Sequence, residues 1–181
     1  LFIIKNGLVV YSDKEKKLFF DAVKPSNEFI NKNLHAGTLS FEFSAKKEKI
    51  ITNCGSFCKV YAQKPSYLRF SAAHSTIILN NTNISELDTN KSYIRIPKKI
   101  NYEYIQDSNN LIIACSHDGY RENYKKIIKR KLIISKNENF LIGQDTITPI
   151  KLNSKKILYN IRFHLMPHCQ TQLTNSKKKV I

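Results

Sequence analysis

Apolar residues recur along this chain at alternate positions or in short runs, and no long window repeats at the spacing of a helix. Read this way, the pattern predicts strands at Leu1–Ile4, Leu8–Tyr11, Lys17–Asp21, Leu39–Ser44, Lys49–Asn53, Leu68–Ser71 and Thr76–Asn80. It continues with Ser92–Ile96, Asn101–Ile105, Leu111–Ser116, Lys126–Ser135, Phe140–Ile142 and Lys156–Leu165. Turn formers separate them: Lys5-Asn6-Gly7, Ser12-Asp13, Asn80-Asn81-Thr82-Asn83, Ser108-Asn109-Asn110 and Ser135-Lys136-Asn137. Leu39-Ser40-Phe41-Glu42-Phe43-Ser44 alternates strictly, as a half-buried antiparallel strand does, and a tight turn at Lys46–Glu48 pairs it with the next strand. A helical turn within Asp118–Arg130 is disfavoured by Gly119 and the β-branched run that follows. Many short strands with regular turns predict a single all-β unit, a sandwich or a barrel.

Length and composition sharpen this picture. The chain has 181 residues, room for one domain, and 41% hydrophobic residues, enough for a core. No apolar run approaches the roughly 18–20 residues of a membrane-spanning helix. Lys5, Asn6 and Gly7 interrupt the first ten residues, so they do not read as a signal peptide. The chain opens without Met and in mid-strand, which predicts a fragment. Its 30 Lys and Arg against 14 Asp and Glu leave a net charge of +16, which favours polyanionic partners: nucleic acid, anionic polysaccharide or an anionic membrane surface. Most of the cations are Lys, as a compositionally biased genome also produces. Cys54, Cys58, Cys115 and Cys169 are too sparse for a disulfide scaffold and lack zinc-ribbon spacing, so they read as buried thiols.

Candidate chemistry gathers near strand ends. His35 precedes one strand, Asn53 ends another and His74 opens a third; adjacent antiparallel strands bring such positions to one sheet edge. Two histidines and an oxygen donor suit zinc, and they equally suit hydrogen-bonded structural roles. His117-Asp118-Gly119-Tyr120 offers an acid–base set or a tight turn with Gly119 at a permissive backbone position. Arg162 and His164 share a face of the strand Ile161–Leu165, with His168 beyond it, and such a face meets either an acidic sugar or solvent. No catalytic Ser-His-Asp set, P-loop or dinucleotide motif is present, nor any RNA-binding signature. Nucleic-acid binding rests on charge alone and predicts a steep salt dependence without sugar selectivity.

At these same segments the chain resembles the C-terminal β-sandwich domain of the heparinase II/III family of polysaccharide lyases. The likeness runs through Leu34-His35-Ala36-Gly37-Thr38-Leu39-Ser40-Phe41-Glu42-Phe43-Ser44, Ile51-Thr52-Asn53-Cys54-Gly55-Ser56 and Arg69-Phe70-Ser71-Ala72-Ala73-His74-Ser75-Thr76. It continues in order through Ser116-His117-Asp118-Gly119-Tyr120, Arg130-Lys131-Leu132, Leu141-Ile142-Gly143-Gln144-Asp145 and Ile161-Arg162-Phe163-His164-Leu165. The resemblance implies an antiparallel β-sandwich over 1–173, truncated at both ends, with 174–181 a basic frayed tail or truncated strand. It implies an N-terminal α/α toroid as partner in the full-length protein, and an acidic, uronate-containing polysaccharide in the cleft between them, cleaved by β-elimination. It also implies a periplasmic or cell-envelope location.

In such lyases the toroid supplies most catalytic groups, so the catalytic residues are unknown here and the fragment alone is expected to be inactive. The sandwich typically adds an HxH motif and a His, Asp, His metal site. By resemblance the structural zinc ligands are His35, Asn53 and His74. Two positions depart from the pattern: Asn33 stands for the first His of the motif, and Asn53 for the Asp, which removes a negative charge from the metal site. Arg69 is the leading candidate for a substrate carboxylate because its guanidinium can bind one bidentately, followed by Arg162 and His164. The rival expectation is a non-catalytic carbohydrate-binding sandwich module.

Overall fold

A computed structural model describes residues 1–25, 35–55, 67–87, 93–151 and 156–172. Its first sheet begins with a meander of consecutive strands: β1 (Phe2–Lys5), β2 (Leu8–Ser12), β3 (Lys16–Asp21), β4 (Phe41–Ala45) and β5 (Glu48–Thr52). Asn6 and Gly7 make the two-residue turn between β1 and β2, both with positive φ, the twist that a tight hairpin requires. Lys46 and Lys47 do the same between β4 and β5, so a turn without glycine still takes the left-handed conformation.

The chain next forms two short 3-10 turns, Tyr67–Arg69 and Ser71–Ala73, where the sequence predicted a strand over Leu68–Ser71. Seryl and histidyl side chains compete with a ladder here; the Ser71 hydroxyl donates to the Ala36 carbonyl instead of leaving the backbone to pair alone. Then come β6 (Ile77–Leu79), the small unpredicted β7 (Glu86–Leu87), β8 (Tyr93–Arg95), β9 (Ile100–Gln106) and β10 (Asn110–His117). A single helical turn, α1 (Arg121–Tyr124), ends at Lys125 in the left-handed conformation, and β11 (Lys126–Ser135) and β12 (Leu141–Pro149) follow. β12 runs on past the predicted Ile142 because its register with β11 continues to Pro149. The strand predicted over Lys156–Leu165 divides into β13 (Tyr159–Ile161) and β14 (His164–Leu165), which join different sheets.

The first sheet is ordered β1-β2-β3-β4-β5-β14 and the second β12-β11-β10-β9; β13 pairs with β6 and β7 with β8. Every named strand pairing is antiparallel. The two larger sheets share one core. Val9, Leu18, Phe20, Phe41 and Phe43 from the first meet Leu111, Ile113, Leu132 and Ile134 from the second. The molecule is therefore an all-β sandwich, as its alternation predicts. A smaller cluster of Ile77, Leu79, Ile84, Tyr120 and Ile128 fills one end. Among the described residues no helix is long and apolar enough to cross a membrane.

One side chain locks the two sheets together. Arg130, 1% exposed, makes a bidentate pair with Asp145 at 2.7 Å for each bond. Its remaining nitrogen donates to the carbonyls of Leu39 at 3.0 Å and Ser75 at 2.6 Å, and its guanidinium lies near the rings of Phe41 and Phe163. Each nitrogen of this cation has an acceptor and the charge has its counter-ion, which is the condition for burying it at all.

Candidate functional site

Three segments distant in sequence meet at one end of the first sheet: the end of β5 (Thr52–Cys54), the turn from Ala72 to Ser75, and the start of β14 at His164. Backbone pairing does the first part of the assembly. His164 is in register with Thr52, and the Cys54 N–H donates to the Ala73 carbonyl at 2.9 Å. Ser75 does the rest: its hydroxyl donates to the Thr52 carbonyl at 2.6 Å and accepts the His164 N–H at 3.0 Å. The Ala36 N–H donates to the Arg69 carbonyl, bringing the residues around His35 alongside.

His35, Asn53 and His74 are thus brought to one edge. The His35 and His74 rings meet edge to face, 5.2 Å between centroids. His74 is buried; desolvation, aided by the charges of His35 and His164, pushes it down to about 4, so its ring is neutral at ordinary pH. Desolvation, then the Arg69 guanidinium, also holds His35 below the usual histidine range. A hydrogen bond to the Leu68 backbone fixes the His74 ring, while its Nε2 is buried without a hydrogen-bond partner. Gly37 lies against that ring, where a Cβ would sit 3.0 Å from its atoms.

These facts bear on the zinc expectation. A neutral, backbone-oriented imidazole with an unpartnered nitrogen is how a metal-ligating histidine is presented, so His74 suits an ion, and the adjoining His35 suits it too. Asn53 is the weaker member: its Oδ1 accepts the Ser75 N–H at 2.8 Å and its Nδ2 donates to Glu42 at 3.3 Å. Among the described residues no group of three His, Cys, Asp or Glu side chains is placed to hold a metal.

Of the predicted substrate contacts, Arg69 is buried and its guanidinium acts on His35. Arg162 is exposed, but it lies between β13 and β14, not with His164 on one continuous strand. His164 does reach the edge. Its Nε2 lies 3.0 Å from the Ala72 carbonyl, which can only accept, so this nitrogen carries the proton. Its Nδ1 faces the Cys54 sulfur at 3.6 Å. Cys54, read from sequence as a buried thiol, is exposed, and Cys169 is half-buried; Cys115 is buried as expected, its thiol pushed up to about 12 by desolvation and, next, by Glu103. Cys58 and Asn33 lie outside the described residues, as does the tail 174–181.

His117-Asp118-Gly119-Tyr120 resolves as the tight turn. The Gly119 N–H donates to His117 Nδ1 at 3.1 Å, and burial pushes His117 down to about 3. The Tyr120 hydroxyl is spent on the Thr82 carbonyl. Gly119 does not need a permissive φ, however; it is required by close approach, since a Cβ there would meet Ile84 at 2.9 Å. His168 is exposed beyond β14. Sequence reasoning missed the parts played by Ser75 and Glu42 and misread Cys54; their contacts with Asn53 and His164 exist only once β4, β5, β14 and the turn to Ser75 are folded together.

A family model described as Heparinase II/III-like, C-terminal, matches residues 4–181. No curated protein matches the chain. The match takes in β1 to β14 almost entire and every residue at the edge just described, and the chain belongs to the heparinase II/III-like C-terminal family.

Proposed function

We propose that this chain is the sandwich portion of a polysaccharide lyase that cleaves an acidic, uronate-containing polysaccharide by β-elimination in the periplasm or cell envelope. The observation that carries the reading is the family match across the whole sandwich. The convergence of His35, Asn53, His74 and His164 at one edge supports it. In this reading the edge is one wall of the cleft, an N-terminal α/α toroid is the other, and the toroid provides the acid and base. The net charge of +16 suits the substrate class.

His35 and His74 would hold a zinc ion, with the free lone pair of Asn53 Oδ1 as a weak third donor. When bound, the ion supplies a fixed positive charge that orders this edge. The chain's own residues prepare for it: Ser75 holds Asn53 and His164 in place, and Leu68 orients His74. Burial, and after it the Arg69 guanidinium, holds His35 below the usual histidine range, and Arg162 is the group that can reach a sugar carboxylate from the exposed side.

The deciding assay uses the full-length protein and follows the ultraviolet absorbance of unsaturated uronate released from acidic polysaccharide. Product from the full-length protein and none from the isolated chain is expected. Product from this chain alone would overturn the division of labour, and no product from the full-length protein would overturn the lyase reading. Elemental analysis tests the metal. Near-stoichiometric zinc is expected in the purified chain and should be lost in a His35→Ala, His74→Ala variant; a metal-free wild type removes the zinc from the proposal. The departures at Asn33 and Asn53 favour one rival, a carbohydrate-binding module without catalysis, which predicts sugar binding and no product from any form.

A further inference from the structure

At the end of the second sheet lies a cavity of about 370 Å³, lined by cations from two stretches of chain: Lys98 and Lys99 before β9, and Arg121 and Lys125 at α1. We propose that this cavity is a second carbohydrate subsite, which takes an anionic group, sulfate or carboxylate, carried on a sugar ring. The proposal rests on the reading of the substrate as an acidic polysaccharide and adds a site that the cleft edge does not contain.

The balance of charge inside the cavity comes first. Two acids line it, Asp118 and Glu122, and both are already engaged. Asp118 Oδ1 accepts the backbone N–H groups of Lys98 at 2.7 Å and Lys99 at 2.9 Å. Glu122 pairs with the Lys98 ammonium at 2.7 Å. Arg95, also in the lining, is buried and spends its guanidinium on the carbonyls of Asn83, Ile84 and Gly119 and on Glu86. The Lys125 ammonium donates to the Glu122 carbonyl at 3.2 Å, which leaves Lys99 and Arg121 as exposed cations with no salt bridge or side-chain hydrogen bond among the described residues.

The walls are also set before any ligand arrives. The Asp118 carboxylate clamps the Lys98-Lys99 backbone, while its carbonyl accepts the Arg121 N–H at 2.8 Å, so one residue spaces the two free cations. Behind them Arg95 ties Asn83 and Ile84 to Gly119, where there is no room even for a Cβ. The backbone that carries Lys99 and Arg121 is thus fixed, while their long side chains are free to close on an anionic group that meets two uncompensated cations based on one set wall. The volume lies at the lower end of the range for small-molecule sites, about 300–1,000 Å³, which is the scale of a short saccharide and not of a duplex.

The test compares charge in the cavity with charge elsewhere. Binding of a heparin-derived tetrasaccharide, and of a carboxylate-only hyaluronan tetrasaccharide, is measured by calorimetry on the whole chain. The wild type is set against Lys99→Ala, Arg121→Ala and against a control pair of exposed lysines outside the cavity, Lys5→Ala, Lys17→Ala. Both pairs remove two charges from exposed positions, and circular dichroism checks that each variant folds. The expected result is a loss of about tenfold or more in affinity for at least one tetrasaccharide in the cavity variant, with less than about twofold in the control. Which tetrasaccharide responds identifies sulfate or carboxylate as the ligand group. Equal losses in the two variants, or no binding by the wild type, overturn the subsite. So does a selective loss seen only with a single-stranded oligonucleotide, which assigns the cavity to nucleic acid. Selective sugar loss here with no unsaturated product from the full-length protein would leave the subsite standing while the lyase reading fell.

Discussion

Single residues in this molecule are decided by space as much as by chemistry. Gly7 shows both. Its φ of 87° is one that side-chain-bearing residues rarely adopt, and a Cβ there would lie 2.3 Å from the Ala22 carbonyl oxygen, which belongs to the next stretch of backbone and cannot swing aside. Gly7→Ala is therefore expected to cost about 2 kcal/mol or more, read as a lower denaturant midpoint with an unchanged slope. A variant as stable as the wild type would mean that the β1–β2 turn is held differently. The turn itself was legible, because Asn-Gly between apolar pairs is a strong hairpin signal. The Ala22 contact was not, since nothing local in the sequence says which backbone will pass over a glycine.

At the scale of elements, alternation revealed most of the strands because each sheet has one face on a shared core. In β4, Phe41 and Phe43 are buried while Glu42 and Ser44, which alternate with them, are not, so period two is written directly into the sequence. Where that rule stops, the pattern misleads. Leu68–Ser71 is apolar enough for a strand, yet its backbone serves the edge through Arg69, Ser71 and the turn toward His74. Phe163 lies between two apolar runs that look continuous, but the runs enter different sheets. Of the candidate site, the two histidines and Asn53 were visible by residue type and position; the serine that arranges them was not, because one more serine carries no periodic signal. The tie between elements is likewise non-local. Arg130 on β11 and Asp145 on β12 are cross-strand partners, and the same guanidinium holds Leu39 and Ser75. Asp145→Ala leaves that cation buried without its counter-charge. It is expected to cost about 3–5 kcal/mol in chemical denaturation, whereas removing the exposed Lys129–Glu103 pair should leave the denaturation midpoint almost unmoved. Similar losses from the two would show that burial does not separate them.

For the whole molecule, acid is the informative perturbation. His74 and His117 are held in the fold at about 4 and about 3, in each case chiefly by desolvation, while in the unfolded chain a histidine titrates near 6.5. As pH falls below about 6.5 the unfolded chain takes up protons that the folded one refuses, so stability declines until the folded values are passed. Asp21 acts oppositely: desolvation raises it to about 6, so the fold binds its proton first and gains between about 6 and 4. Two histidines outweigh one carboxyl. A tenfold difference in proton affinity between folded and unfolded chain is worth about 1.4 kcal/mol, so a net fall of about 2–4 kcal/mol is expected between pH 7 and 4. Denaturant titrations at several pH values, with a chelator present, measure it. A flat profile would show that neither imidazole stays neutral in the folded state.

The order of strands in the first sheet carries a consequence for how the protein is made. Strands β1 to β5 can pair as they emerge from the ribosome, each with the one before it, but β5 then waits with an open edge. Its partner β14 brings His164 to Cys54 from 110 positions further along the chain. During synthesis, the early strands have a fold before they have a site, and the nascent chain must keep a bare β-edge from pairing with its neighbours until nearly its last described residues arrive. The wall proposed for the cleft is then completed in the same step that closes the sheet.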